Sequence, residues 1–192
     1  MNKKALLVLA KLYSTYSPTL FKDKDTFEGV AGYKFIKHTD GTHLCFTNRA
    51  TMPDFLIEDG REETVLSWLK DAGIPKAKMP GEPYHSLLSV ADKETETLKA
   101  IDFITVVNSG SKGIKMPNGV FLNVNQIKPS IPFLDEIVYY SMVASKHMII
   151  YEYGSDFRLH VSPLIYRPDD WSINEIHDKA PKKESKGAGL FF

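Results

Sequence analysis

Apolar positions along the chain alternate between helical spacing and short, dense, strand-like runs. Leu6, Leu9 and Ala10 share one face of a helix expected from Lys3 to about Tyr13, and Ser17-Pro18 ends it. The charged stretch Lys22 to Gly32 reads as a loop. Tyr33 to Ile36 and His43 to Thr47 read as strands joined by Thr39-Asp40-Gly41-Thr42, which has the residue chemistry of a hairpin turn. Met52-Pro53-Asp54 marks a break. Glu62 to Ala72 is the clearest helix. Val65, Leu66, Leu69 and Ala72 lie along one side, with Glu62 and Glu63 in the first turn, Lys70 in the last, and Gly73 and Pro75 as stop signals. After the connector Lys76 to Glu82, Tyr84 to Val90 reads as a buried strand.

The second half is expected to repeat that order. Ile101 to Val107 is strand-like, Asn108 to Lys112 and Pro117-Asn118-Gly119 are turns, and Val120 to Val124 is a strand. Leu134, Ile137, Val138 and Ser141 suit one side of a helix running from Leu134 to about Ser145. Met148 to Tyr153 and Leu159 to Tyr166 follow as strands around Gly154-Ser155-Asp156. The expected class is α+β. Two pseudo-symmetric strand-helix-strand halves would share a central, mostly antiparallel sheet. The expected division is an N-terminal helix and loop over 1–29, the main domain over 30–168, and a flexible tail over 169–192.

Composition narrows the chemistry. Lys plus Arg is 24 and Asp plus Glu is 24 in 192 residues, so net charge is zero and bulk attraction to nucleic acid is not expected. A single cysteine, Cys45, excludes an internal disulfide and a multi-cysteine zinc site, and it fits a reducing, cytoplasmic setting. Cys45 itself reads as a small buried apolar residue on a strand. The run Ala5 to Ala10 is too short for a secretory h-region, and no stretch is long enough to span a membrane, so no membrane partner is expected. Phosphate-cradling and dinucleotide-binding glycine motifs are absent, as is the Gly-x-Ser-x-Gly elbow. No metal or other cofactor is expected. None of the six histidines pairs at a helical metal-site spacing, and His38 and His43 lie across a turn. Glu58, Asp59, Glu62 and Glu63 read as a loop and a favourable first helix turn.

Two histidines stand out by position. His85 lies in Tyr84-His85-Ser86-Leu87-Leu88-Ser89, and His160 in Leu159-His160-Val161-Ser162-Pro163-Leu164. On a strand, His160 and Ser162 would project from one face, roughly 7 Å apart. An imidazole beside a hydroxyl can move a proton while the hydroxyl holds a phosphate oxygen. Two such histidines across a groove would supply a general base and a general acid near neutral pH. This layout resembles the two-histidine (LigT-like) phosphoesterases, whose mark is a His-x-Thr/Ser motif in each of two halves. Among them it is most similar to the phage nucleases that degrade cyclic oligonucleotide alarms. The matching segments are Leu66 to Pro75 leading to Pro83 to Leu88, and Asn118 to Val124 leading to Phe157 to Ser162. The resemblance implies proton transfer by His85 and His160, phosphate binding by Ser162, and metal-independent cleavage of cyclic or short oligonucleotides. Leu87 departs from it, standing where the first motif has a hydroxyl.

The tail offers a second expectation. Gly189-Leu190-Phe191-Phe192 caps a charged segment from Asp178 to Gly187, and two aromatics with an aliphatic suit an apolar pocket on a protein partner. It is similar to the C-terminal peptides by which replication proteins grip sliding clamps, without their upstream glutamine. On this alternative the chain is a catalytically silent phage or replication accessory protein that docks through Leu190, Phe191 and Phe192.

Overall fold

Leu6, Leu9, Ala10 and Tyr13 are all buried on one side of α1 (Lys3–Tyr13), as their spacing predicts. The computed structural model describes residues 3–15, 23–47, 51–92, 98–102, 110–116, 119–133, 137–142, 148–151, 156–164 and 169–175. After α1 come α2 (Lys24–Val30), β1 (Tyr33–His38), β2 (Gly41–Phe46), β3 (Thr51–Ile57), α3 (Glu62–Asp71) and α4 (Glu82–Asp92). Then follow β4 (Leu98–Asp102), β5 (Gly113–Lys115), β6 (Phe121–Asn123) and α5 (Val124–Ile127), which runs into a 3-10 turn, Lys128–Phe133. The last strands are β7 (Ile137–Met142), β8 (Met148–Tyr151), β9 (Phe157–Val161) and β10 (Ile173–Glu175).

Seven strands form an antiparallel sheet in the order β1-β2-β3-β9-β8-β7-β4, and β10-β5-β6 form a small second sheet. The class is α+β, and no described helix is long and apolar enough to cross a membrane. β3 and β9 are neighbours although a hundred residues separate them, and their register pairs Met52 with His160 and Asp54 with Arg158. Alternation then assigns the two faces. One carries Leu44, Phe46, Phe55, Ile57, Phe157, Leu159 and Val161, and it packs against α1, α3, α5 and β6 in the larger core. The other carries Ile36, Cys45 and Met52 under Tyr84 and Leu88 of α4. On this second face lie the polar residues considered below.

Four sequence expectations give way. Lys24 to Val30, inside the expected loop, is helix α2, because Phe27 and Val30 bury one side of it with Ala31 just beyond. Met52-Pro53-Asp54 does not break the chain and lies inside β3. The β2–β3 ladder stops at Cys45 opposite Asp54, so Pro53, which lacks an N–H, pairs only with β9. Tyr84 to Val90 is helix, not strand: Tyr84 and Leu88 are buried one turn apart, and Pro83 sits at the start, where a missing N–H costs little. Ile137 to Met142, expected within a helix, is β7, consistent with its run of β-branched and aromatic residues. The Glu62 helix holds. Its end is a Schellman turn, with Ile74 N–H donating to Leu69, Gly73 N–H to Lys70, and Gly73 at φ 68°. The tail from Asp178 to Phe192, with its Leu-Phe-Phe tip, lies outside the described residues.

Candidate functional site

A fully buried carboxylate, Asp54, organises the polar end of the α4 face. Its Oδ1 accepts from His43 Nδ1–H at 2.9 Å, and its Oδ2 accepts from His160 Nε2–H at 2.5 Å. Arg158 Nε lies 3.3 Å from Asp54 Oδ2. Strand register produces this arrangement: His43, Asp54, Arg158 and His160 occupy same-face positions on three adjacent strands. An isolated buried charge would be costly, and three donors from two strands compensate it. Burial alone would raise the Asp54 pKa. The hydrogen bonds from His160 and His43 and the charge of Arg158 outweigh it and hold the carboxyl well below the usual range.

The cluster continues to the surface through the β1–β2 hairpin. His43 Nε2–H donates to Asp40 Oδ1 at 2.8 Å, and His38 Nδ1 is 3.2 Å from the same oxygen. Asp40 is 42% exposed, Arg158 22% and His38 only 7%, so the mouth opens at the turn. Burial would lower the His43 pKa, but Asp54 and Asp40 on its two sides raise it. Burial likewise opposes ionisation of Asp40, and its bonds to His43 and His38 lower its pKa overall. The His85 ring, exposed on α4, lies 6.5 Å from the His38 ring, which in turn is 5.9 Å from that of His43.

The two histidines singled out by sequence thus occupy different settings. His85 is exposed on a helix, and His160 is fully buried on β9. The contacts between them run through His38, His43 and Asp54. On a helix the residue two positions on does not share a face, so Leu87 bears on packing and not on a hydroxyl motif; it lies against the Tyr84–Leu88 cluster. Ser162 is exposed just beyond β9. Cys45 is buried, and desolvation followed by the charge of Asp54 pushes its thiol well up, which suits a packing residue better than a nucleophile.

No protein-family model, curated protein or solved structure matches the chain. The site therefore rests on its own geometry. Sequence reasoning missed Asp54, Asp40 and Arg158. One signal was available: a lone carboxylate between Met52-Pro53 and Phe55-Leu56-Ile57 is a charge inside an apolar run, which needs a partner when buried.

Proposed function

We propose that this chain cleaves phosphodiester bonds in cyclic or short oligonucleotides at the mouth formed by His38, Asp40, His43, His85 and Arg158. One observation carries the reading: buried Asp54 fixes the His43 imidazole from behind while two further imidazoles and a guanidinium gather at the solvent side. Histidines transfer protons near neutral pH, and a guanidinium pairs with non-bridging phosphate oxygens. In this reading His85 is the proton-transfer group that meets substrate, and Arg158 bears the phosphate charge. Ser162, about 13 Å along the strand from Arg158 and past the end of β9, lies away from this mouth and has no part in it. His160, which solvent does not reach, is a positioning residue that acts through Asp54. The likeness to two-histidine phosphoesterases contributes the class of chemistry, with the roles redistributed as above.

The test is hydrolysis of a panel of cyclic di- and trinucleotides and short RNA, comparing the wild type with His85→Ala and Arg158→Ala. The reading expects turnover that either substitution reduces at least about a hundredfold, within the range of general acid–base contributions. Folded wild type that turns over no member of the panel would overturn it and favour the accessory alternative, with docking through Leu190, Phe191 and Phe192.

A further inference from the structure

We propose that His38, Asp40 and His43 form a binding site for one divalent transition-metal ion, with Zn2+ the best match to the donor set. The inference goes beyond the proposed hydrolysis and stands without it. His38 Nδ1, Asp40 Oδ1 and His43 Nε2 lie within 4.8 Å of one another, with two of the separations at 3.2 and 2.8 Å. Around a tetrahedral Zn2+ with bonds near 2.0–2.1 Å, donor atoms sit roughly 3.3 Å apart, so small side-chain rotations suffice to admit the ion. Two imidazoles and one carboxylate are the donor set of open, three-ligand sites, which leave positions for water.

A second observation points the same way. Metal-bound histidines characteristically donate their other ring N–H to a carboxylate, which fixes tautomer and ring orientation. His43 does this: Nδ1–H donates to fully buried Asp54 while Nε2 faces the convergence point. Asp54 is held in turn by His160 and Arg158, so the support behind the ligand is itself fixed. On binding, the ion takes the place of the proton between His43 Nε2 and Asp40 Oδ1, and that proton leaves to solvent. Arg158, whose Nη2 is 3.9 Å from Asp40 Oδ2, opposes the cation electrostatically and tempers its affinity. A Zn2+ bound there would lower the pKa of a water in an open position towards about 7.

The sequence concealed this site because His38 and His43 have no helical spacing. The β1–β2 hairpin brings them together instead, pairing His38 with Gly41 and Ile36 with His43. This proposal departs from the expectation that no metal is bound.

Calorimetric titration of the chelator-treated full chain with Zn2+ tests the site, alongside His38→Ala and Asp40→Asn in the β1–β2 hairpin. Co2+ absorption provides an independent readout. One equivalent of Zn2+ is expected, with affinity at least about tenfold weaker in each variant. Co2+ should give tetrahedral ligand-field bands without thiolate charge transfer. Absence of saturable binding, or binding unchanged in both folded variants, would overturn the proposal. Binding without turnover would sink the hydrolase reading and leave the metal site standing. Turnover in chelator by a protein that binds no ion would do the reverse.

Discussion

Replacing Asp54 with Asn changes almost no volume and removes one charge, so it isolates what the buried carboxylate does. It accepts from His43 and His160 and lies 3.3 Å from Arg158 Nε. Hydrogen bonds to a charged group each contribute about 1.5–3 kcal/mol net. They are not additive here, because Arg158 is partly exposed and can swing towards Asp40. Breaking a buried ion pair costs about 3–5 kcal/mol, and we take about 3 for this partly relieved cluster. At roughly 2–4 °C per kcal/mol for a chain of this size, the melting temperature should fall by about 6–12 °C at pH 7. Acid adds a second signature. The carboxyl is held below its usual pKa, so its stabilisation is present at neutral pH and is lost as pH drops below the ordinary value of about 4. The wild type and the variant should therefore converge in that window. Urea unfolding at pH 7 and at stepped acidic pH measures both. A loss below about 0.5 kcal/mol at pH 7, the level of an ordinary surface change, would refute the reasoning. So would a gap that stays constant as the solution is acidified.

Further outcomes follow from the packing. At Gly32, φ is 109° and an added Cβ would lie 2.1 Å from the Pro75 carbonyl oxygen, so Gly32→Ala should cost about 2 kcal/mol or more by chemical denaturation. Helical Gly29 has nothing within 4 Å of an added Cβ, and Gly29→Ala should stabilise by about 0.5–1 kcal/mol in the same assay. Burial pushes the Tyr13 phenol up to about 12 despite a hydrogen bond with Thr51. Its contribution to stability is full below about pH 10 and falls by about 3 kcal/mol as pH rises to about 12, where ultraviolet titration should show its delayed ionisation. His160→Ala should destabilise the fold without abolishing turnover outright, whereas His85→Ala should leave melting nearly unchanged and remove activity. Paired melting and kinetic measurements separate these two roles.

The local pattern showed much of the fold. Helix α1, helix α3 with its Gly73 stop, and the hairpin around Asp40-Gly41 follow from spacing and turn residues alone. Errors arose where a short apolar run fits either period. Tyr84-Leu87-Leu88 was legible as helix from Pro83 and its three- and four-residue spacing, while Ile137-Val138-Tyr139-Tyr140 was legible as strand from its residue types. The site was harder to read. Arg158 and His160 reach Asp54 only because β3 pairs with β9 across a hundred residues, and no local pattern encodes that pairing. His160 was visible as a histidine among strand apolars, but its burial beside Asp54 was not.

Turnover of a cyclic dinucleotide by the wild type, compared directly with His85→Ala at matched folding, is the measurement closest to the central claim. The account predicts hydrolysis by the wild type, a loss of at least about a hundredfold in the variant, and unchanged melting. Equal rates in the two proteins, or no hydrolysis of any cyclic or short oligonucleotide by folded wild type, would contradict it.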